Sequence, residues 1–389
     1  MLAIEEDIPS IPYSDPWMLS LPTRLKQLAK GQKRVAYFYE LADNSTFRYR
    51  VYNMVQVLNE SNQDISAAYF FLDDFQQLNE IANLADILVI CRTRYESRVN
   101  QLVAAFKSRR KPVYFDIDDF VFNCDYAHLL LNALDQDVND HRCWDFWFAY
   151  TSRLGSTLRL CDAAITTNAN LAKQITEYAN IPVSIIPNFL NREQLEVSDR
   201  IFAIKQDKLL WKSDIIHLGY FSGTPSHNKD FSIIIPALEA LLENDPRICL
   251  VIAGYIEAGP RLERFKDKIH QYPFQDYVNL QRLIGSVVFN LMPLQNNVFT
   301  NCKSELKYFE AAIVGTQSIA SPTYTYTNSI IDGVNGYLSK AHQWESTIKQ
   351  AISEIDKYQE MSIYSYEHAR DKYAWFNQIN PIKSALGLI

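Results

Sequence analysis

The sequence has no surplus of positive charge. Its 38 Lys and Arg face 45 Asp and Glu, for a formal net charge of −7. A general nucleic-acid binder needs a basic footprint, so no nucleic-acid partner is expected. There is no C-x-x-C pair among Cys91, Cys124, Cys143, Cys161, Cys249 and Cys302, and no His stands at zinc-ligand spacing from two of them. Several lie in apolar runs, where Cys behaves as a small hydrophobe. They read as reduced, which points to the cytoplasm, and no metal is expected. No window of about 18 apolar residues exists, so no membrane span is expected. The first 20 residues carry Glu5, Glu6, Asp7 and scattered prolines instead of the basic and apolar regions of a signal peptide. Short-period repeats and low-complexity segments are also missing. One basic run, Lys107 to Lys111, reads as a solvated helix end and also allows peripheral contact with anionic headgroups on the inner membrane face.

What is there is an ordinary globular composition, 48% hydrophobic and 21% charged, over 389 residues. That length favours two domains. After an irregular lead-in over residues 1–32, with a short helix near Arg24–Ala29, strands and helices alternate as in a helix-covered parallel sheet. Strands are expected at Val35–Glu40, Ala85–Cys91, Val113–Asp116, Ala163–Thr167 and Val183–Ile186. Helices are expected at Arg50–Leu58, Val99–Phe106 and His141–Leu160. A second set follows: strands at Ile215–Ser222, Ile248–Ala253, Val287–Leu294 and Gln317–Ala320, with helices at Phe231–Leu242, Arg261–Tyr272 and Ser304–Val314. The joint falls near Pro187–Ser213. The expectation is an α/β chain of two Rossmann-like domains facing a cleft, 33–200 and 201–370, with 371–389 packing back on the first.

Three stretches carry chemistry. Gly219 to Asp230 reads as strand, turn at Gly223, then helix start, with Lys229 beside it. Ligands of open α/β sheets sit at the carboxyl ends of strands, and a helix N-terminus there offers amides to a phosphate. An ordinary turn with an exposed lysine explains the same segment equally well. In Asn301 to Ala312, a helix would align Lys303, Lys307 and Glu310 on one face, suited to a diphosphate and ribose hydroxyls. The plainer reading is a solvated Lys/Glu face. Ser329 to Leu338 holds two tight turns with Gly333 and Gly336.

The ordered set resembles glycosyltransferase family 4, which has the GT-B fold. The resemblance rests on Gly223…Lys229, Glu310-Ala311-Ala312-Ile313-Val314-Gly315, Ser318-Ile319-Ala320-Ser321 and Asp332-Gly333-Val334-Asn335-Gly336, over about residues 215–350, and on Pro187-Asn188 between the domains. Ser45 to Arg50 and Tyr114 to Asp119 resemble a subgroup that builds cell-surface polysaccharides. Two positions depart from the family pattern: the first glutamate of E-x7-E is Cys302, and the arginine five residues before the loop lysine is Thr224.

The resemblance implies a hexosyl- or deoxyhexosyltransferase that moves a sugar from a nucleotide diphosphate sugar to a hydroxyl of a glycan or lipid-linked acceptor. Anomeric configuration would be retained, in surface polysaccharide or glycan synthesis, and no cofactor would be required. Gly223, Thr224, His227, Lys229, Lys303, Ser304, Lys307 and Glu310 would bind the donor. Lys303 and Lys307 would replace the lost positive charge. Ser45, Arg48, Arg50, Asp116, Asp118 and Asp119 would face the acceptor, and Asp118, Lys229 and Lys303 are the candidates for the catalytic step. The acidic cluster also admits a metal-binding D-x-D, a phosphatase-like nucleophile strand, and simple capping of the next segment. A non-catalytic GT-B scaffold or nucleotide-sugar-binding protein is one alternative, and a GT-B sugar-nucleotide epimerase is another. The aromatic run Cys143 to Tyr150 reads as a core helix face, and Tyr324 and Tyr326 as donor-site lining or loop packing.

Overall fold

The computed structural model describes residues 10–43, 45–61, 64–223, 228–256 and 259–389. Among these residues, two six-stranded sheets follow one another in sequence. The first contains β1 (Lys33–Tyr39), β2 (Ile65–Phe71), β3 (Ile87–Cys91), β4 (Val113–Ile117), β5 (Ala163–Thr166) and β6 (Val183–Ile185), in the order β2-β1-β3-β4-β5-β6. The second contains β7 (Ile216–Ser222), β8 (Ile248–Gly254), β9 (Ile269–Tyr272), β10 (Phe289–Met292), β11 (Gln317–Ala320) and β12 (Tyr337–Leu338), in the order β12-β11-β10-β7-β8-β9. All strand pairs are parallel. Helices cover both faces, which is why β3 can be buried at every residue.

The helices are α1 (Leu21–Leu28), α2 (Asn53–Ser61), α3 (Leu78–Leu84), α4 (Ser97–Lys107), α5 (Ala127–Ala133), α6 (His141–Leu160), α7 (Ala169–Ala179), α8 (Arg192–Asp207), α9 (Asn228–Ser232), α10 (Ile235–Asn244), α11 (Tyr277–Ser286), α12 (Val298–Asn301), α13 (Leu306–Ala312), α14 (Tyr324–Ser329), α15 (Trp344–Ser353), α16 (Tyr358–Tyr373) and α17 (Ile379–Ala385). In β7, Leu218 and Tyr220 pack with Phe231 and Leu238 on one face, while Phe221 joins Leu283 and Phe309 on the other. That alternation is the two-residue period of a strand. At the chain end, Ile382, Leu386 and Leu388 pack among Trp17, Val55 and Tyr69 of the first domain, and Lys33 Nζ donates to Leu388 O at 2.8 Å.

Several local expectations are corrected. Arg261–Tyr272 is a 3-10 turn, Glu263–Lys268, followed by edge strand β9. The Phe231–Leu242 helix is split into α9 and α10, with Pro236 in the first turn of α10. The Ser304–Val314 helix is shorter, so Lys303 lies in the α12–α13 connection and shares no helix face with Lys307. The joint near Pro187–Ser213 holds a long helix, α8. The start of the expected Arg50–Leu58 helix is a turn of π-helix, Arg48–Tyr52. The amino-terminal half of α6 is not core: Phe146 is 52% and Phe148 45% exposed.

Strand order fixes where a ligand can sit. Open parallel sheets bind at the carboxyl ends where the order reverses. In the second sheet that point lies between β7 and β10, and in the first between β1 and β3. The loops after these four strands, with the end of β4 beside β3, bring the candidate residues together.

Candidate active site

On the second-domain side, β7 runs into Gly223. Thr224 and His227 lie outside the described residues. Lys229 reaches across to the first domain, where Nζ donates to Asn132 O at 3.0 Å and Oδ1 at 2.9 Å and stands 3.7 Å from Asp135. The pair is more than one-third exposed on both sides, so giving it up costs little. Asp230 is buried and accepts from Gln295 N at 3.0 Å, which ties the loops after β7 and β10 together.

Lys307 Nζ stands 5.2 Å from the Tyr220 ring centre. Burial pulls its ammonium down to about 8; Asp230 and Glu310 oppose this and Lys303 adds to it. A lysine so placed is stabilised by an added anion. Glu310 follows on α13 and is only 4% exposed. Its Oε1 accepts from Tyr49 Oη and from Gln194 Nε2 at 3.4 Å, and lies 3.5 Å from Arg48 Nη2. All three contacts fall on Oε1. Arg48 is itself sandwiched, 3.8 Å from the Tyr49 ring centre and 4.6 Å from that of Tyr277.

The first-domain side holds two acidic groups of different character. Asp116 and Arg50 are fully buried and form a two-pronged pair at 2.7 and 3.1 Å. Arg50 also donates to Ile186 O at 2.8 Å and to Asn188 Oδ1 at 3.3 Å, and Asn188 donates to Ser304 Oγ at 3.0 Å. Burial pushes the Asp116 carboxyl up to about 6 and the Arg50 charge opposes it. In this structure Arg50, Asp116 and Arg48 therefore offer no surface to an acceptor, because each is consumed by internal partners. They hold the domain junction and the Ser304 loop in place. Ser45 is exposed and bonds Asp43.

Asp118 and Asp119 open to the cleft instead. Arg92 Nη1 is 3.2 Å from Asp118 and 3.9 Å from Asp119. Thr46 Oγ1 donates to Asp118 at 3.3 Å and accepts from Arg92 at 3.1 Å. Lys303 Nζ completes the group from the other domain, 3.8 Å from Asp119 Oδ1. Two carboxylates and two cations thus meet across the cleft with side chains 15–21% exposed. The sequence reading gave no role to Thr46, Tyr49 or Gln194, and held Arg92 only as a reserve cation for the leaving diphosphate. For Arg92 the signal was its place directly after β3, at the strand order's reversal.

Two family-like segments prove structural. Cys302 is fully buried against the first-domain core, its carbonyl accepting from Asn168 at 2.9 Å. In the Asp332–Gly336 turn, Asn335 Oδ1 accepts from Ile331 N at 2.6 Å, while its Nδ2 donates to Tyr308 Oη at 2.8 Å and Ser329 O at 3.0 Å. The turn therefore braces α13, the helix that carries Glu310. Tyr326 is buried beside Asp230, Glu305 and Glu310, whereas Tyr324 is 40% exposed.

Two facing Rossmann-like domains with this cleft constitute the GT-B fold. Residues 212–368 match the family model described as glycosyl transferases group 1. Three solved structures show the fold over nearly the whole chain. HepE of Anabaena, in complex with UDP and glucose, aligns with a TM-score of 0.62 at 13% identity, covering 91% of this chain and 100% of that one. A glycosyltransferase of Rickettsia africae gives 0.59 at 12%, covering 91% and 99%. WaaG, a glycosyltransferase involved in lipopolysaccharide biosynthesis, gives 0.56 at 11%, covering 90% and 98%. No curated protein matches the sequence. No described helix is long and apolar enough to cross a membrane.

Proposed function

We propose that the protein is a glycosyltransferase that moves a hexosyl or deoxyhexosyl group from a nucleotide diphosphate sugar to an acceptor hydroxyl with retention of configuration. The observation that carries this reading is the partly buried Lys307 ammonium within the field of Glu310 and Asp230, at the carboxyl ends of β7 and β10, with Lys303 3.8 Å from Asp119 of the open acidic cluster. The nucleotide lies over the second sheet. Glu310 takes a ribose hydroxyl on Oε2, while Oε1 stays with Tyr49. Lys307, Lys303 and Lys229 meet the diphosphate, Lys229 by leaving Asn132. The charge on the leaving phosphate grows as the glycosidic bond breaks, so cations fixed there act mainly in the transition state. The leaving phosphate accepts the acceptor's proton, and Asp118 and Asp119 orient acceptor hydroxyls on the same face of the sugar. HepE's complex with UDP and WaaG's role in lipopolysaccharide biosynthesis support a UDP-type donor and a surface-glycan acceptor, which could be presented at the inner membrane face.

A second reading, a nucleotide-sugar-binding scaffold without turnover, is favoured by the burial of Cys302 where the family pattern has an acid, and by the engagement of Glu310 with Tyr49 and Arg48. A calorimetric and thermal-shift panel of nucleotide diphosphates and their sugars, followed by nucleotide release with and without glycan acceptors, tests both. Acceptor-dependent release supports transfer. Binding without release supports the scaffold, and interconversion of the free sugar nucleotide would make the protein an epimerase.

A further inference from the structure

The opposite end of the second sheet holds three metal-ligating side chains that the proposed reaction does not use. His217, Cys249 and His270 are each the second residue of their strand, β7, β8 and β9. These strands are neighbours. His217 pairs with Cys249, and His270 pairs with Val251, two residues further along β8. A strand's side chains alternate faces, so all three point to one side. Their ligand atoms, one per residue, lie within 4.8 Å of one another. The ring centres of His217 and His270 are 5.9 Å apart.

We infer that this cluster is a binding site for a borderline-soft transition metal ion, zinc in the first place, that clips the edge strand β9 to the sheet. Two imidazoles and a thiolate without a carboxylate suit zinc or copper and not the oxygen-seeking magnesium or calcium. Bonds of about 2.0–2.1 Å to nitrogen and 2.3 Å to sulfur would draw the ligand atoms roughly 1 Å closer than the present limit. Side-chain rotation at half-buried strand ends supplies that much. Among the described residues, none of the three side chains has a hydrogen-bond partner. Binding an ion would therefore cost them no internal hydrogen bond. The fourth position opens into a pocket of about 230 Å³ that Ser213 and Ser286 also line, with room for a water or a small ligand. β9 is four residues long at the sheet's edge, where a cross-strand tie has most effect. His217 lies about 17 Å from the carboxyl end of β7, five residues on at roughly 3.3 Å each. The cluster stands whether or not the proposed transfer is correct.

The full-length protein, stripped with chelator and reloaded, decides the matter. Zinc should bind stoichiometrically with the chain and raise the unfolding temperature. Cobalt should give the thiolate charge-transfer band and the intense visible bands of a tetrahedral site. Cys249→Ser should abolish the thiolate band, and His217→Ala and His270→Ala should each weaken zinc at least tenfold against a chromophoric competitor. Cys124→Ser, at a partly exposed cysteine elsewhere, should change nothing. Copper displacing zinc with a copper–thiolate band that Cys249→Ser removes would also support the site and name its ion. Wild-type protein that takes up no zinc, cobalt or copper would overturn the inference, as would a cobalt spectrum that Cys124→Ser, and not Cys249→Ser, abolishes. Because the wild-type titration needs no variant, a folding defect in Cys249→Ser leaves the test intact.

Discussion

The pH dependence of nucleotide diphosphate binding follows directly from Lys307. Its ammonium is depressed to about 8 by burial in the free protein. A diphosphate placed against it would restore an ordinary lysine value near 10.5. The ligand binds the protonated form, so affinity is fully present below pH 8 and is lost as pH rises through 8. At pH 7 about nine-tenths of the lysine is charged, and at pH 9 about one-tenth. Each unit costs about 1.36 kcal/mol, so Kd should rise close to tenfold per pH unit from about 8 and level off near 10. The ligand's terminal phosphate, with a second pKa of about 6, is already ionised in that window and does not contribute. Lys307→Met should weaken binding at pH 7 by about 1.5–3 kcal/mol, the range for a hydrogen bond to a charged group, and should flatten the profile. Isothermal titration in buffers of different ionisation heat, from pH 7 to 10, measures Kd and proton uptake together. Uptake should approach one proton near pH 9 in the wild type and vanish in the variant. A flat wild-type profile, or the same slope in Lys307→Met, would refute the placement of the diphosphate at this lysine.

Four further outcomes are expected. Lys229→Ala should weaken nucleotide diphosphate by about 1.5–3 kcal/mol in calorimetry, since its surface contacts with Asn132 and Asp135 are readily exchanged for the ligand. Glu310→Gln should raise the donor KM in steady-state assays; an unchanged KM would remove this residue from the ribose. The Lys303→Ala, Lys307→Ala double variant should lose kcat more than it gains KM, because leaving-group charge grows during bond breaking; near-normal turnover would discard the idea. Arg50→Leu should cost about 3–5 kcal/mol in urea unfolding, because it leaves the Asp116 carboxyl buried without its partner.

The strands were the most legible part of the molecule. β3, β4 and β8 are short, nearly continuous apolar runs, and α6 was readable to its ends. The Arg261–Tyr272 segment misled because Glu263 to Lys268 is charged at every position but Phe265 and hides the short Ile269–Tyr272 edge strand. β2, Ile65–Phe71, and α8, Arg192–Asp207, carried no motif and were passed over. Within the site, motif order located the loops after β7 and β10. It could not reveal that Arg50 and Asp116 bury each other, or that Tyr49 would occupy Glu310, since both depend on contacts between segments 66 and 261 residues apart. The Asp332–Gly336 turn was visible as a motif, but its bracing of α13 through Asn335 and Tyr308 was not. The His217, Cys249 and His270 cluster was equally hidden, because its members meet only once three strands align.

Sugar transfer itself is tested most directly by the stoichiometry between nucleotide diphosphate released and glycosidic bond formed, with the product's anomeric configuration read by NMR. The account predicts that release requires an acceptor, that one bond forms for each nucleotide freed, and that the new linkage keeps the donor's configuration. Donor that binds in the cleft and remains intact with every acceptor offered, or an epimerised sugar nucleotide with no new linkage, would contradict it.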